Sequence, residues 1–215
     1  VSLGGVADDA GALFAVAQLP NGSGVLVAPR RVLTAAHCLR GPRARVRFRS
    51  ADAWSAPYEG DARAHPDYAL PLGTDGFVTA AAVEALGPDL ALIDLDETPS
   101  IDGVAVRPLA LGDGRAGDSV SLVGYGSDAP GGALGYVRRR GDATVTTAWA
   151  GHFGLDARDG AVMTAGDSGG ALVRADGAGG YVVVGVASLY AEARWSLCVR
   201  VAPHAAWIRG ATSRA

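Results

Sequence analysis

The chain has 215 residues, 49% hydrophobic and 19% charged, with a formal net charge of −3. That balance excludes a disordered chain, which needs few apolar residues and high net charge. It also gives no electrostatic case for a nucleic-acid or anionic-membrane partner, and no apolar run is long enough to span a bilayer.

Every basic residue is Arg, which with the heavy use of Ala and Gly reads as composition bias rather than chemistry. Two cysteines are too few for a disulfide framework. The chain opens Val1-Ser2-Leu3-Gly4-Gly5, without the basic and apolar segments of a signal peptide. It therefore reads as a cytosolic protein or as a processed, mature one.

In chain order, short runs rich in Val, Leu and Ala, punctuated by Gly, Pro and Asp, predict strands. They are Leu13–Leu19, Gly24–Ala28, Arg31–Ala35, Arg43–Arg49, Ala91–Leu95, Ser119–Gly124, Ala143–Thr147, Ala171–Arg174, Val182–Leu189 and Leu197–Arg200. Two segments predict helices. Thr79–Leu86 has strong helix formers behind a capping Thr and stops before Gly87-Pro88. Pro203–Thr212 starts with Pro and carries Trp207 and Ile208 on one side, suited to docking on the body. The Pro- and Gly-punctuated stretch Glu97–Arg107 divides the chain into near halves. The texture is all-β, of the sandwich or antiparallel-barrel kind.

Three segments carry chemistry, in the order His, Asp, Ser. Leu33-Thr34-Ala35-Ala36-His37-Cys38 runs a strand into a His, and Asp89-Leu90-Ala91-Leu92-Ile93 opens an apolar strand with an Asp. Gly166-Asp167-Ser168-Gly169-Gly170 sets a Ser in a Gly-rich turn. A Ser hydroxyl needs a base to take its proton, and imidazole has the pKa for it. A carboxylate behind the imidazole selects its tautomer and stabilises its charge. Glycines beside the Ser leave backbone N–H groups free to face an oxyanion, and Gly166 and Ser168 are the candidate donors. Singly, each segment has a bland reading as a packed His or a turn; together, coincidence is improbable.

Those segments identify the chain as resembling the trypsin/chymotrypsin family of serine endopeptidases. Thr-Ala-Ala-His-Cys and Gly-Asp-Ser-Gly-Gly are both highly specific signatures. Ala28-Pro29-Arg30-Arg31-Val32-Leu33, His65-Pro66-Asp67-Tyr68, Val123-Gly124-Tyr125-Gly126, Val184-Gly185-Val186-Ala187-Ser188 and Trp207-Ile208 are similar to further family segments, nearly end to end. The resemblance implies two six-stranded antiparallel Greek-key β-barrels with a C-terminal α-helix, the chymotrypsin-like fold. The first, mainly residues 1–106, would carry His37 and Asp89. The second, mainly 107–215, would carry Ser168 and the S1 pocket, the two making one peptidase domain. His37, Asp89 and Ser168 would be catalytic. Val1 and Asp167 would form the activation pair, although Gly4-Gly5 sits one residue later than the family's Gly pair.

The resemblance places Val162, Met163, Ser188, Leu189, Tyr190 and Ser196 in substrate binding. Val162 stands at the pocket floor, where Asp would select a basic P1 side chain. With Val there an unpaired buried cation is disfavoured, so a shallow apolar pocket for small or medium aliphatic P1 residues is expected. Glu192 reaching a basic P1 from another wall is the weaker alternative. Cys38 lacks its usual partner, because Gly22 occupies that position, and Thr164 stands where the family has Cys. Both thiols, Cys38 and Cys198, are expected reduced and buried. Between Tyr68 and Asp89 the chain is longer than the family pattern by roughly a dozen residues, an insertion expected to restrict the cleft.

No cofactor or metal is expected, and the segment between His37 and His65 is short for the family's calcium loop. The expected partners are a peptide or protein substrate and a protein inhibitor, with no nucleic acid and no membrane span, on a monomer. The family implies a secreted or periplasmic protein made as a zymogen. The alternative function is a latent or non-catalytic binding or regulatory protein on a protease fold.

Overall fold

The computed structural model describes residues 6–7, 11–69, 83, 85–127, 135–191 and 194–210. β2 (Val16–Leu19), β3 (Gly22–Ala28), β4 (Arg31–Thr34), β5 (Arg43–Phe48), β6 (Tyr58–Ala64) and β7 (Ala91–Leu95) follow β1 (Val6–Ala7). A hairpin of β8 (Ser100–Ile101) and β9 (Val104–Ala105) leads to β10 (Ala110–Leu111). Then come β11 (Ser119–Gly124), β12 (Arg139–Ala148), β13 (His152–Gly160), β14 (Ala171–Ala175), β15 (Tyr181–Ala191) and β16 (Trp195–Arg200). Helix α1 (Ala205–Gly210) ends the described chain.

The first barrel closes in the order β2-β3-β4-β7-β6-β5. In the second sheet β12 also pairs with β13, which closes a ring β11-β12-β13-β16-β15-β14. Both rings place the third strand beside the sixth, so one Greek-key order occurs twice. Closure removes the exposed edges that an open sheet of this size would carry. β1 pairs with β12, and β10 runs parallel to β15, both outside the ring.

Apolar runs became the strands buried on both faces. Val32 and Leu33 of β4 face Ile93 and Leu92 of β7, and all four are fully buried. The first barrel's apolar cluster continues into the second through Tyr125, Val173 and Val186, and onto α1 through Ile208. A second cluster, with Met163, Phe153 and Cys198, fills the other barrel. The two barrels thus share packed side chains where the site lies.

Ala91–Leu95 and Ser119–Gly124 form strands with the expected bounds. The first expected strand begins only at Val16, because Gly11–Leu13 forms a 3-10 turn. Besides the two-residue β1, β8, β9 and β10, two longer strands fall outside the expected ones, β6 and β13. They hold Glu59, Asp61 and Arg63, and Asp156, Arg158 and Asp159, residue types largely depleted in strands. Their partners hold them: a Cβ on Gly60 would lie 2.4 Å from the Asp94 carbonyl, so only Gly lets β6 approach β7 this closely. The expected helix Thr79–Leu86, like most of the insertion, lies largely outside the described residues; Val83 within it is helical and buried. The terminal helix is a 3-10 turn, Ala202–His204, followed by α1.

Arg31 joins that helix to the first barrel. It is 3% exposed, its Nε donates to Asp94 Oδ1 at 2.8 Å, and its Nη1 donates to the Ile208 and Arg209 carbonyls at 2.8 and 3.3 Å. A cation belongs at a helix C-terminus, where carbonyls lack partners.

Candidate active site

His37 lies in a 3-10 turn, Ala36–Cys38, directly after β4. Its backbone N–H donates to Asp89 Oδ1 at 3.0 Å, and its ring Nδ1 lies 2.6 Å from Asp89 Oδ2. A carboxylate at Nδ1 places the ring proton there and leaves Nε2 as the acceptor. Asp89 sits two residues before β7, where the Leu90 carbonyl accepts from the His65 backbone N–H at 2.8 Å. Its carboxylate takes a third bond from Ser188 Oγ, at 2.6 Å.

Ser188 reaches Asp89 because the β15–β16 register shifts between Ala187 and Leu189. Such an irregularity re-aims one side chain out of the strand's alternation.

The electrostatics follow. Burial works against the charged forms of His37 and Asp89, yet their mutual hydrogen bond and opposite charges outweigh it. The His37 pKa is raised and the Asp89 pKa lowered. The pair therefore stabilises an imidazolium, the charge a base acquires on taking a proton.

Ser168 is half-exposed in a turn whose neighbours Asp167 and Gly169 are buried. Its carbonyl accepts from the Ser23 backbone N–H at 2.8 Å and from Cys38 Sγ at 3.5 Å. The Gly169 N–H donates to the Ala187 carbonyl of β15 at 2.8 Å. Gly169 has φ +81°, and a Cβ there would meet Ser23 O at 2.1 Å and Thr34 Oγ1 at 2.2 Å, so no other residue fits. The turn is thus clamped between β3 and β4 of one barrel and β15 of the other. Gly166 has φ +92°. Among the described residues, the N–H groups of Gly166 and Ser168 donate to no acceptor.

Asp167 is buried, with Oδ1 accepting from Gly126 N–H at 2.9 Å and Oδ2 from Thr164 N–H at 2.9 Å. Thr164, at a position where the family has Cys, also donates its hydroxyl to the Ser127 carbonyl at 3.0 Å. Val1 and Glu192 lie outside the described residues. Val162 and Met163 are fully buried, and the Met163 N–H donates to Ser196 Oγ at 2.7 Å. Tyr190 is half-buried against the second apolar cluster and faces Ser196 across β15–β16, beside Leu189 opposite Leu197. Cys38 and Cys198 are both free and buried, and burial first, then the Asp167 charge, pushes the Cys198 thiol up to about 12.

Ser23 escaped the sequence reading. Its hydroxyl donates to the Gly166 carbonyl at 2.9 Å and accepts from Tyr125 N–H at 2.9 Å. In Gly22-Ser23-Gly24 it reads as a turn residue, and only the second barrel's position makes it a clamp on the Ser168 loop.

Two Greek-key antiparallel barrels, with Asp89 bonded to His37 and the Ser168 carbonyl bonded to the neighbouring Cys38, have the chymotrypsin-like serine peptidase architecture. The trypsin family model matches residues 3–208, and the chain belongs to that family of serine endopeptidases. Human granzyme M is similar at 33% identity over 227 residues, covering 90% of this chain and 82% of that protein. A solved structure described as "Atomic resolution structure of HBP" shares the fold. Its TM-score is 0.74 at 22% identity, over 99% of this chain and 97% of the other. Among the described residues, no helix is long and apolar enough to cross a membrane.

Proposed function

We propose that the chain hydrolyses peptide bonds through an acyl-enzyme, with Ser168 as nucleophile, His37 as general base and then acid, and Asp89 orienting His37. The observation that carries the reading is the Asp89 carboxylate, bonded at once to His37 Nδ1 and to Ser188 Oγ. It leaves Nε2 free to take the Ser168 proton. The unengaged Gly166 and Ser168 N–H groups are the proposed oxyanion donors.

Val162 supports a shallow apolar S1 pocket, because the residue at its floor carries no charge and burying a cation there is costly. Small or medium aliphatic P1 residues are the proposed preference. Ser188–Tyr190 is proposed to pair with substrate as an added strand. Asp167 is proposed to take the α-amino group of Val1 in a chain processed before that residue. Residues 1–106 and 107–215 are proposed as the two halves of one exported peptidase domain.

The test is P1 profiling on a diverse peptide library beside Ser168→Ala. Cleavage after Ala, Val or Leu that vanishes in the variant is the expected result. Cleavage after Arg would keep the triad and overturn the pocket. No cleavage by folded protein would overturn the catalytic reading.

A further inference from the structure

The chain carries a net charge of −3, yet residues 40–57 hold five arginines and one aspartate, a net of +4. The fold converts this into a row. In β5, Val46 and Phe48 point into the barrel and are buried, while Arg43, Arg45 and Arg47 point outward and are exposed. Arg49 continues the same alternation past the strand end. Alternate strand residues lie about 6.6 Å apart, so the four guanidinium stems span about 20 Å.

The row is not uniformly neutralised. At one end Arg43 is held by Asp96, Asp61 and Glu59. Arg45 makes no ion pair or hydrogen bond among the described residues. Among the described residues Arg47 makes no ion pair; its Nε donates to the Ser55 carbonyl at 3.4 Å and its guanidinium stacks 4.9 Å from the Trp54 ring. Stacking on Trp54 steadies the guanidinium of Arg47, which is exposed. Beyond Arg43 the same end of the row approaches the turn that carries His37: Arg40, exposed, donates to the His37 carbonyl at 3.3 Å.

We infer that the outward face of β5 is an exosite, separate from the cleft, that binds an extended acidic polypeptide segment through Arg45 and Arg47. The match is geometric as well as electrostatic. An extended peptide repeats its side chains on one face at the same interval as β5, so carboxylates at alternate positions meet successive guanidiniums. Trp54 is half-buried beneath Arg47, and among the described residues the face offers no exposed aromatic platform of the kind that stacks nucleic-acid bases. The inference does not rest on the triad, and its readout is binding rather than turnover.

The experiment uses the Ser168→Ala chain, so that no probe is cleaved, and a fluorescent decapeptide of alternating Glu and Ser, followed by anisotropy. The expected result is saturable binding that weakens with added salt. The Arg45→Gln/Arg47→Gln double variant should bind about tenfold more weakly, as expected for losing two exposed charge contacts of bidentate geometry. A Gln/Ser decapeptide should not bind, and Arg158→Gln, at an exposed arginine already paired with Asp156, should leave affinity unchanged. The single Arg45→Gln variant gives an intermediate loss and guards against a folding defect in the double. Equal affinity in wild-type and double-variant backgrounds overturns the inference. So does tighter Arg45- and Arg47-dependent binding of a sulfated polysaccharide or an oligonucleotide, which would assign the row to a different class of partner.

Discussion

Gly22 lies against the carbonyl of Ser168: a Cβ at position 22 would come within 2.5 Å of that oxygen and 2.9 Å of Cys38 Sγ. The site where the family closes a disulfide to Cys38 is here filled by the backbone of the nucleophile's own turn. Ser168 O accepts two hydrogen bonds there, from Ser23 N–H and Cys38 Sγ.

Gly22→Ala is therefore expected to displace Ser168 rather than merely fill space. Overpacking of this kind costs about 1–3 kcal/mol. The expected outcome is a lower melting temperature with kcat/KM on a short peptide reduced about tenfold or more. Unchanged kcat/KM in a folded variant would show that the carbonyl clamp does not place the hydroxyl.

The rate is expected to rise with pH, because only neutral His37 accepts the Ser168 proton. Its pKa is raised above 6.5, so the midpoint of kcat/KM against pH should lie above 6.5. Asp89→Asn should move that midpoint down and lower kcat by about 10⁴-fold, the magnitude of the family's own template triad. The stability signs differ between the partners. His37 contributes fully below its unfolded value of 6.5 and loses its contribution as pH rises through the raised one. Asp89 contributes above its unfolded value of 3.8 and loses its contribution as pH falls through the lowered one. A pH–rate profile and urea melts across the same range test both.

Arg31→Met is expected to loosen the end of the chain. Removing one partner of a buried pair costs about 3–5 kcal/mol, and somewhat less here because Arg63 still holds Asp94 at 2.6 Å. For a chain of this length that is a fall of roughly 5–10 °C in Tm. Hydrogen exchange at residues 205–210 should accelerate first. Arg31→Lys should recover only part of the loss, since one ammonium cannot span both Asp94 and the helix carbonyls.

Acid should destabilise the fold through its buried histidines. Burial first, then the nearby His204, lowers His152 to about 4. The unfolded chain therefore takes up the proton first, and stability falls as pH drops from about 6.5 towards 4, by about 3 kcal/mol at most. His65 and His204, whose rings lie 4.9 Å apart, are shifted the same way. His152→Leu should flatten stability against pH over that window; an unchanged slope would assign the acid sensitivity to the other two.

The sequence alone determined the residues whose chemical identity is irreplaceable. His37, Asp89 and Ser168 stand out as the set of side chains that acyl transfer would require, and the glycines around Ser168 as a turn that leaves backbone N–H groups free to face an oxyanion. Strands buried on both faces, such as β4 and β7, were legible as unbroken apolar runs. What depends on a neighbour distant in the chain was not. β6 and β13 are charged segments that become strands only because closed barrels pair them. Ser23 reads as a turn residue and Arg31 as the first residue of a strand until the second barrel and the last helix come to rest on them. The arginines of β5 vanish into a net charge of −3, since composition sums over the molecule whereas strand alternation sorts side chains onto faces. Side-chain direction and long-range pairing are set by register and closure, which only the tertiary structure decides.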